Sequence, residues 1–280
     1  MRSAPATRAS RARSYLFVPG DRPDRFRKAF DSGADAVILD LEDAVSPGNK
    51  SGARDVIDNF VTPDSHAIVR INALDTEWAA ADIELCRRRG ISGLMLPKTQ
   101  CADDVATVAA KVGNRIDILA LIETAQGMAN AHEVSQAAAT SRLVFGTIDF
   151  QLDLGIDGDD EELLYFRSTL VLASRCAKLP PPCDGVTAAI DNDILVAKDA
   201  RRSQRFGFGA KLCIHPRQIP LVNRAFTPAP DACDWAKRVL DASARAGGSV
   251  VALDGKMIDR PVVERAQRIV DAIRSEQERS

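Results

Sequence analysis

A chain of 280 residues with a formal charge of −2 and a pI near 6.0 offers no global basic field for nucleic acid or for an anionic membrane surface. Hydrophobic residues make up 45% and mean hydropathy is −0.13, enough for a sizeable core, yet no apolar run approaches the ~20 residues that cross a bilayer. Six cysteines (Cys86, Cys101, Cys176, Cys183, Cys213, Cys233) lack CxxC or paired-finger spacing, which argues against zinc and for reduced, cytoplasmic thiols.

Residues 1–13, MRSAPATRASRAR, are basic, acid-free and Ser/Ala-rich, and are expected to form a disordered leader with only a faint likeness to a transit peptide. No secretory signal pattern is read in them. From Ser14 onward short apolar runs alternate with helical patterns. Strands are predicted at Tyr15–Val18, Ala36–Leu41, Ala67–Ile71 and Gly93–Leu96, separated by helices at Pro23–Ser32, Lys50–Phe60 and Thr76–Arg89. Helix Ala102–Val112 follows, then two strand-like runs, DILALI and Arg142–Gly146, flanking helix Met128–Ala139. The run Ile118–Ile122 has no polar alternation, as expected of a strand buried on both faces of a parallel sheet. Glu161–Lys178 is the longest helical stretch, Asp184–Ala189 a weak seventh strand, Asp193–Arg205 a helix and Lys211–Ile214 an eighth strand. Eight β/α units up to about Phe226 predict an α/β fold, a closed (β/α)₈ TIM barrel over 14–226, with a doubly wound open sheet as the rival. After the linker Thr227–Pro230, residues 227–280 are predicted as a mainly helical C-terminal extension packing on the barrel or on a neighbouring subunit. It comprises helix Asp231–Arg245, a short run Val250–Leu253, a turn over 254–262 and helix Val263–Glu278.

Chemistry-bearing residues gather at the strand ends, where a barrel places its active site. Strand two gives Asp40, Glu42 and Asp43, strand three Arg70 and strand four Lys98; strands five, six and eight give Glu123, Asp149 and His215. Glu123 and Asp149, at the tips of successive strands, either supply half of an octahedral Mg²⁺ site or cap the helices that follow. Arg70 is suited to bidentate capture of a substrate carboxylate or to a structural ion pair with Asp40 or Glu42. Lys98 follows Pro97; an electrostatic or hydrogen-bonding role is favoured over a Schiff base. His215 is either a supporting hydrogen bonder or a satisfied core residue. The GxG in Phe206–Lys211 lacks the strand–turn–helix setting of a dinucleotide site.

SYLFVPGDRPDRFRKAFDSGADAVILDLEDAV, VRINALDTEWAAADI, LPK, LIETAQG, KLCIHPRQI, AFTP and ALDGKMIDRPVVERA together closely resemble the citrate lyase β-subunit-like family, a branch of the HpcH/HpaI aldolase superfamily. The resemblance runs from Ser14 to Ala272 in order and register. It implies a (β/α)₈ barrel that cleaves or forms the C–C bond of a 3-hydroxyacyl-CoA thioester of the citryl-, citramalyl- or malyl-CoA type. It further implies Mg²⁺ on Glu123 and Asp149, and Arg70 on the substrate carboxylate. Asp259 of the MID motif would be contributed to an adjacent subunit of a homo-oligomer, often a trimer. Asp40 and Lys98 join Arg70 and Asp259 as expected catalytic-site residues, with Asp40 orienting its neighbours and Glu123 also contacting substrate. Two positions depart from the pattern. Many relatives carry an acid where Ile148 stands, and the segment VTAAI after Gly185 lacks their tyrosine and aspartate. The rival functions are an aldolase for a free hydroxy-oxo acid without CoA, and a β subunit that needs an acyl-carrier partner.

Overall fold

The computed structural model of the protein describes residues 8–113, 115–247 and 250–277. The chain divides into two compact units after Asn223. In the first, eight parallel strands close into a barrel in chain order. They are β1 (Ser14–Pro19), β2 (Ala36–Asp40), β3 (Ala67–Arg70), β4 (Ile91–Leu96), β5 (Asp117–Ile122), β6 (Thr140–Phe145), β7 (Cys183–Asp184) and β8 (Ala210–Cys213). Closure is direct, since Tyr15 of β1 pairs with Ala36 of β2 on one side and Leu212 of β8 on the other. The open-sheet alternative is thereby excluded. All six residues of β5 are buried, as its unbroken apolar run predicts.

The first helices are α1 (Arg8–Arg11), α2 (Pro23–Phe30), α3 (Lys50–Phe60), α4 (Ala79–Leu85) and α5 (Ala102–Val112). They are followed by α6 (Ala125–Ala129), α7 (Ala131–Gln136), α8 (Thr147–Leu154), α9 (Leu164–Cys176), α10 (Asp193–Phe206) and α11 (Ile219–Phe226). The single helix expected over Met128–Ala139 is two, because Asn130 leaves helical geometry (ψ 8°) and turns its side-chain amide to the Gln100 carbonyl. β7 is only two residues long, against the six predicted from Asp184 to Ala189; β6 and β8 hold it in place through Val144, Ala210 and Lys211. The predicted leader also ends sooner than expected. Arg8–Arg11 is a helical turn, and Ala9 and Ala12 pack with Tyr15, Leu119 and Val144 in the barrel core. Burial of these small apolar side chains overrides the basic, loop-like composition around them. Residues 1–7 of the leader lie outside the described residues.

The second unit holds α12 (Pro230–Arg245), the antiparallel pair β9 (Val251–Leu253) and β10 (Lys256–Ile258), and α13 (Arg260–Gln277). Ala236, Val239, Ile258 and Ala266 form its core. The segment read as a turn over 254–262 contains β10, whose three residues are too few to signal a strand by alternation. No helix among the described residues is long and apolar enough to cross a membrane.

Candidate active site

β2 and β3 run in a register that sets Asp40 directly beside Arg70. Arg70 donates from Nε to Asp40 Oδ1 at 2.7 Å and from Nη2 to Oδ2 at 2.6 Å, a bidentate pair with Asp40 only 2% exposed. Nη1 stands 2.9 Å from Glu42 Oε2, and the guanidinium lies over the Phe17 ring at 4.8 Å. Asp43 Oδ2 also stands within ion-pairing range of Nη1 at 3.7 Å, so three carboxylates face this guanidinium. The ion pair with Asp40 and Glu42, one of the two readings of Arg70, is present.

The acidic turn after β2 is held from below. Asp40 Oδ1 also accepts the Glu42 amide, and the buried Lys50 ammonium donates to the carbonyls of Leu41 and Glu42, each at 2.7 Å. Lys50 was not among the residues expected here, because a lysine opening a helix ordinarily reads as solvated. Glu42 is 5% exposed and both its oxygens lack a partner with hydrogen-bond geometry, although Arg70 and, at 3.3 Å, the Lys98 ammonium lie within ion-pairing range. Burial pushes Glu42 up to about 6 against the pull of Arg70.

Lys98 follows β4 with a left-handed φ of 48°, a conformation that costs of order 1–3 kcal/mol in a non-glycine residue. The strained turn aims its backbone N–H at Glu123 Oε1, 2.7 Å away. Partial burial pulls the Lys98 ammonium down, but Glu42, Asp43 and Glu123 outweigh it and hold the group above its ordinary value. A lysine kept charged is a poor Schiff-base nucleophile. Glu123, 2% exposed at the end of β5, is pushed up to about 8 by burial and then by the neighbouring carboxylates of Glu42 and Asp149. Gly146 is required beside it: a Cβ there would stand 2.5 Å from Glu123 Oε2. Asp149, half-buried in the first turn of α8, is raised by burial and by Asp43.

These carboxylates are oxygen-only donors crowded together, and burial with mutual repulsion raises them, the condition a divalent hard cation relieves. Among the described residues no group of three or more His, Cys, Asp or Glu forms a complete cage. Two carboxylates that leave the remaining positions to water and substrate fit Mg²⁺ better than a metal needing a full protein shell.

The cluster opens into a cavity of about 850 Å³, lined by Asp40, Arg70, Glu123 and Asp149 with Arg25 and Lys28 on α2. His215 also lines it, but its Nδ1 accepts the Arg217 amide at 3.2 Å and so caps the turn after β8. Asp259 belongs to the second unit, where Oδ1 accepts the Val262 amide at 3.2 Å at the start of α13. The structure thus brings together Arg70, Asp40, Lys98, Glu123 and Asp149. Phe17, Val186 and Ile214 are cavity residues that the sequence reading did not single out.

Residues 13–216 match the HpcH/HpaI aldolase/citrate lyase family. The chain belongs to that family. Among its relatives, the citrate lyase subunit beta of Escherichia coli is 34% identical over 92% of each chain. A (3S)-malyl-CoA thioesterase of Cereibacter sphaeroides is 33% identical, over 88% of this chain and 89% of that one. The CitE protein of Mycobacterium tuberculosis, solved in complex with magnesium, acetoacetate and coenzyme A, superposes with a TM-score of 0.83 at 34% identity, covering 95% of this chain and 99% of that one. Membership in this family carries the fold with it: a TIM barrel followed by a helical C-terminal region.

Proposed function

We propose that the protein is a Mg²⁺-dependent carbon–carbon lyase that cleaves a 3-hydroxyacyl-CoA thioester into an acyl-CoA and an oxo acid. The observation that carries this reading is the crowding of Glu123 and Asp149 beside the Arg70 guanidinium, at the mouth of a cavity edged by Arg25 and Lys28. Glu123 and Asp149 would hold Mg²⁺, which when bound supplies Lewis-acid polarisation of the substrate's carboxylate and hydroxyl oxygens.

The remaining chemistry belongs to the chain. Arg70 grips the substrate carboxylate with the N–H groups that Asp40 and Glu42 do not hold, displacing the exposed Asp43, and Asp40 fixes the plane of the guanidinium. The Lys98 ammonium adds positive charge to the acid cluster, and the Lys98 amide orients Glu123. As the hydroxyl gives its proton to a carboxylate of the acid cluster, Glu42 being the one whose oxygens lack a hydrogen-bond partner, the C–C bond breaks, its electron pair passing into the thioester as an enolate and leaving the oxo acid. Asp259 from a neighbouring copy is assigned to return a proton to the enolate carbon, which makes a homo-oligomer, as a trimer or another closed assembly, the working state. Arg25 and Lys28 suit the phosphates of the CoA moiety. All six cysteines are free, in keeping with a cytoplasmic enzyme.

Purified protein with Mg²⁺ is to be incubated with citryl-, citramalyl-, malyl- and methylmalyl-CoA while acetyl- or propionyl-CoA release is followed. Release from at least one thioester, abolished by EDTA, is expected. Silence on all four would overturn the reading, and turnover of a free hydroxy-oxo acid, or turnover only with a carrier protein, would identify its replacement.

A further inference from the structure

His215 caps the turn Pro216–Gln218 that follows β8, and both its backbone and its ring are fixed there. Its backbone N–H donates to Gln218 Oε1 at 3.3 Å, beside the Ile214 N–H at 2.9 Å. Gln218, 2% exposed, is anchored in turn: Nε2 donates to the carbonyls of Thr187 at 2.9 Å and Ala189 at 3.2 Å. The ring is pinned through Nδ1, which accepts the Arg217 amide at 3.2 Å. A ring nitrogen that accepts carries no proton, so the neutral imidazole is the Nε2–H tautomer. His215 lines the cavity, and among the described residues its Nε2 has no partner. A hydrogen-bond donor held in one tautomer and left open at a ligand cavity is a binding element still without a ligand atom.

The order of strands round the rim says which atom that is. Asp149 follows β6, His215 follows β8, and β1, the next strand, leads into α2 with Arg25 and Lys28. A thioester with its hydroxy-acid end at the carboxylates and its phosphates on Arg25 and Lys28 carries its carbonyl past His215. When the C–C bond breaks, its electron pair becomes the second bond of the enolate and the thioester oxygen takes the negative charge. The cations of the cavity are engaged elsewhere. Arg70 holds the substrate carboxylate beside Asp40 and Glu42, Lys98 stands 3.3 Å from Glu42, and Arg25 and Lys28 hold phosphates. We infer that His215 is a further catalytic residue, donating its Nε2–H to the thioester carbonyl oxygen and stabilising the enolate that forms there. The inference rests on the thioester-lyase reading above. The imidazole keeps its proton throughout, because the proton that reaches carbon comes from Asp259. A neutral ring with a fixed tautomer acts as an electrophile by hydrogen bonding alone, and the Arg217 amide spares it any reorientation as charge develops.

The two ring nitrogens can be tested separately in the full-length protein with Mg²⁺ and the thioester that the wild type turns over. His215→Asn keeps an acceptor for the Arg217 amide and removes the donor at the Nε2 position; His215→Gln restores a donor there and gives up the cap. His215→Asn should lower kcat by ~10²–10³-fold, with KM and the thermal midpoint close to wild type. His215→Gln should be faster than His215→Asn by ~10-fold or more, although it has lost the cap. Wild-type kcat in His215→Asn would overturn the assignment and give the enolate oxygen to a backbone amide at the start of α8. A loss carried by KM alone would also overturn it, as would a His215→Gln variant as slow as His215→Asn or slower, the result expected of a cap. Each of these leaves the lyase reading intact. A wild type silent on citryl-, citramalyl-, malyl- and methylmalyl-CoA would overturn that reading and this inference with it.

Discussion

The two ends of the barrel solve the problem of buried charge in opposite ways. At the N-terminal end Arg142 is 2% exposed, and its guanidinium meets neutral oxygens: the carbonyls of Pro181 at 2.8 Å, Ala12 at 2.7 Å and Ser10 at 3.2 Å, and the Tyr15 hydroxyl at 2.8 Å. Tyr15 in turn donates to the Ala9 carbonyl, and burial drives its phenol far above the ordinary value. That end is a plug, in which Arg142 staples the leader helix under the barrel, beside Asp117, raised by burial and held by Ser141 and the Ser10 backbone. At the C-terminal end the charges are many, of one dominant sign and incompletely partnered, with Glu123 pushed up to about 8 and both Glu42 oxygens without hydrogen-bond geometry. Satisfied charge marks the end that holds the fold; frustrated charge marks the end prepared for a ligand.

The largest effect should come from breaking the frustrated end. Glu123→Gln keeps an oxygen for the Lys98 amide but removes the charge. Turnover of the thioester should fall by ~10³-fold or more, about 4 kcal/mol in barrier. Without divalent cation the thermal midpoint should stay level or rise, because a repelled carboxylate has been neutralised. Calorimetry beside the kinetic assay reads both, and a lower midpoint with intact turnover would reverse the assignment of the two ends.

Arg142→Met should give the opposite signature. It leaves buried carbonyls unpartnered and should cost about 2–4 kcal/mol in urea unfolding. The molecules that remain folded should turn over at nearly the wild-type rate. A loss of kcat with unchanged stability would contradict a plug.

Asp184, fully buried in β7, is an intermediate case. Burial opposes its charge, but Lys211 and Arg167 outweigh burial and hold its carboxyl below the ordinary value, with Ser203 and the Gly185 amide adding hydrogen bonds. A depressed carboxyl stabilises the fold above its unfolded value and loses that contribution as pH falls through the folded one. Unfolding free energy should therefore drop as the solution is acidified below the usual carboxylate range and this group loses its contribution. Asp184→Asn should be weaker at pH 7 and show a shallower acid limb; an unchanged limb would remove Asp184 from the account.

The smallest expected effect is at Lys50. Lys50→Met frees the carbonyls of Leu41 and Glu42 and should reduce kcat/KM about tenfold through a loosened acidic turn, with partial recovery in Lys50→Arg. Equal losses in both variants would point to packing against Trp78 instead.

The C-terminal end was largely legible in the sequence, because its logic is local. An apolar run that stops on a charged residue reads directly, as at Arg70 and Glu123, and Asp40, Lys98 and Asp149 lie at or within four residues of a strand end. What the sequence left open at Arg70 was the choice between ion pair and substrate grip, which depends on how many N–H groups Asp40 takes. The N-terminal end was illegible for the converse reason. Arg142 looks like an ordinary strand residue in RLVFG, and its partners at Ser10 and Ala12 lie some 130 positions away in a stretch whose composition reads as disordered. β7 was misplaced because two residues carry no period, and neighbouring strands alone define it. Lys50 hid because its partners are backbone carbonyls, which no side-chain pattern announces.

The most direct test of the central claim, that frustrated carboxylates at the C-terminal end form the metal site, is a binding measurement with Mn²⁺ as a paramagnetic stand-in for Mg²⁺. Electron paramagnetic resonance would count bound Mn²⁺ in the presence of a 2-oxo acid for the wild type, Glu123→Gln and Asp149→Asn. One Mn²⁺ per wild-type chain, displaced by Mg²⁺ and lost in both variants, is the expected result. Wild-type stoichiometry and affinity retained in either variant would contradict it.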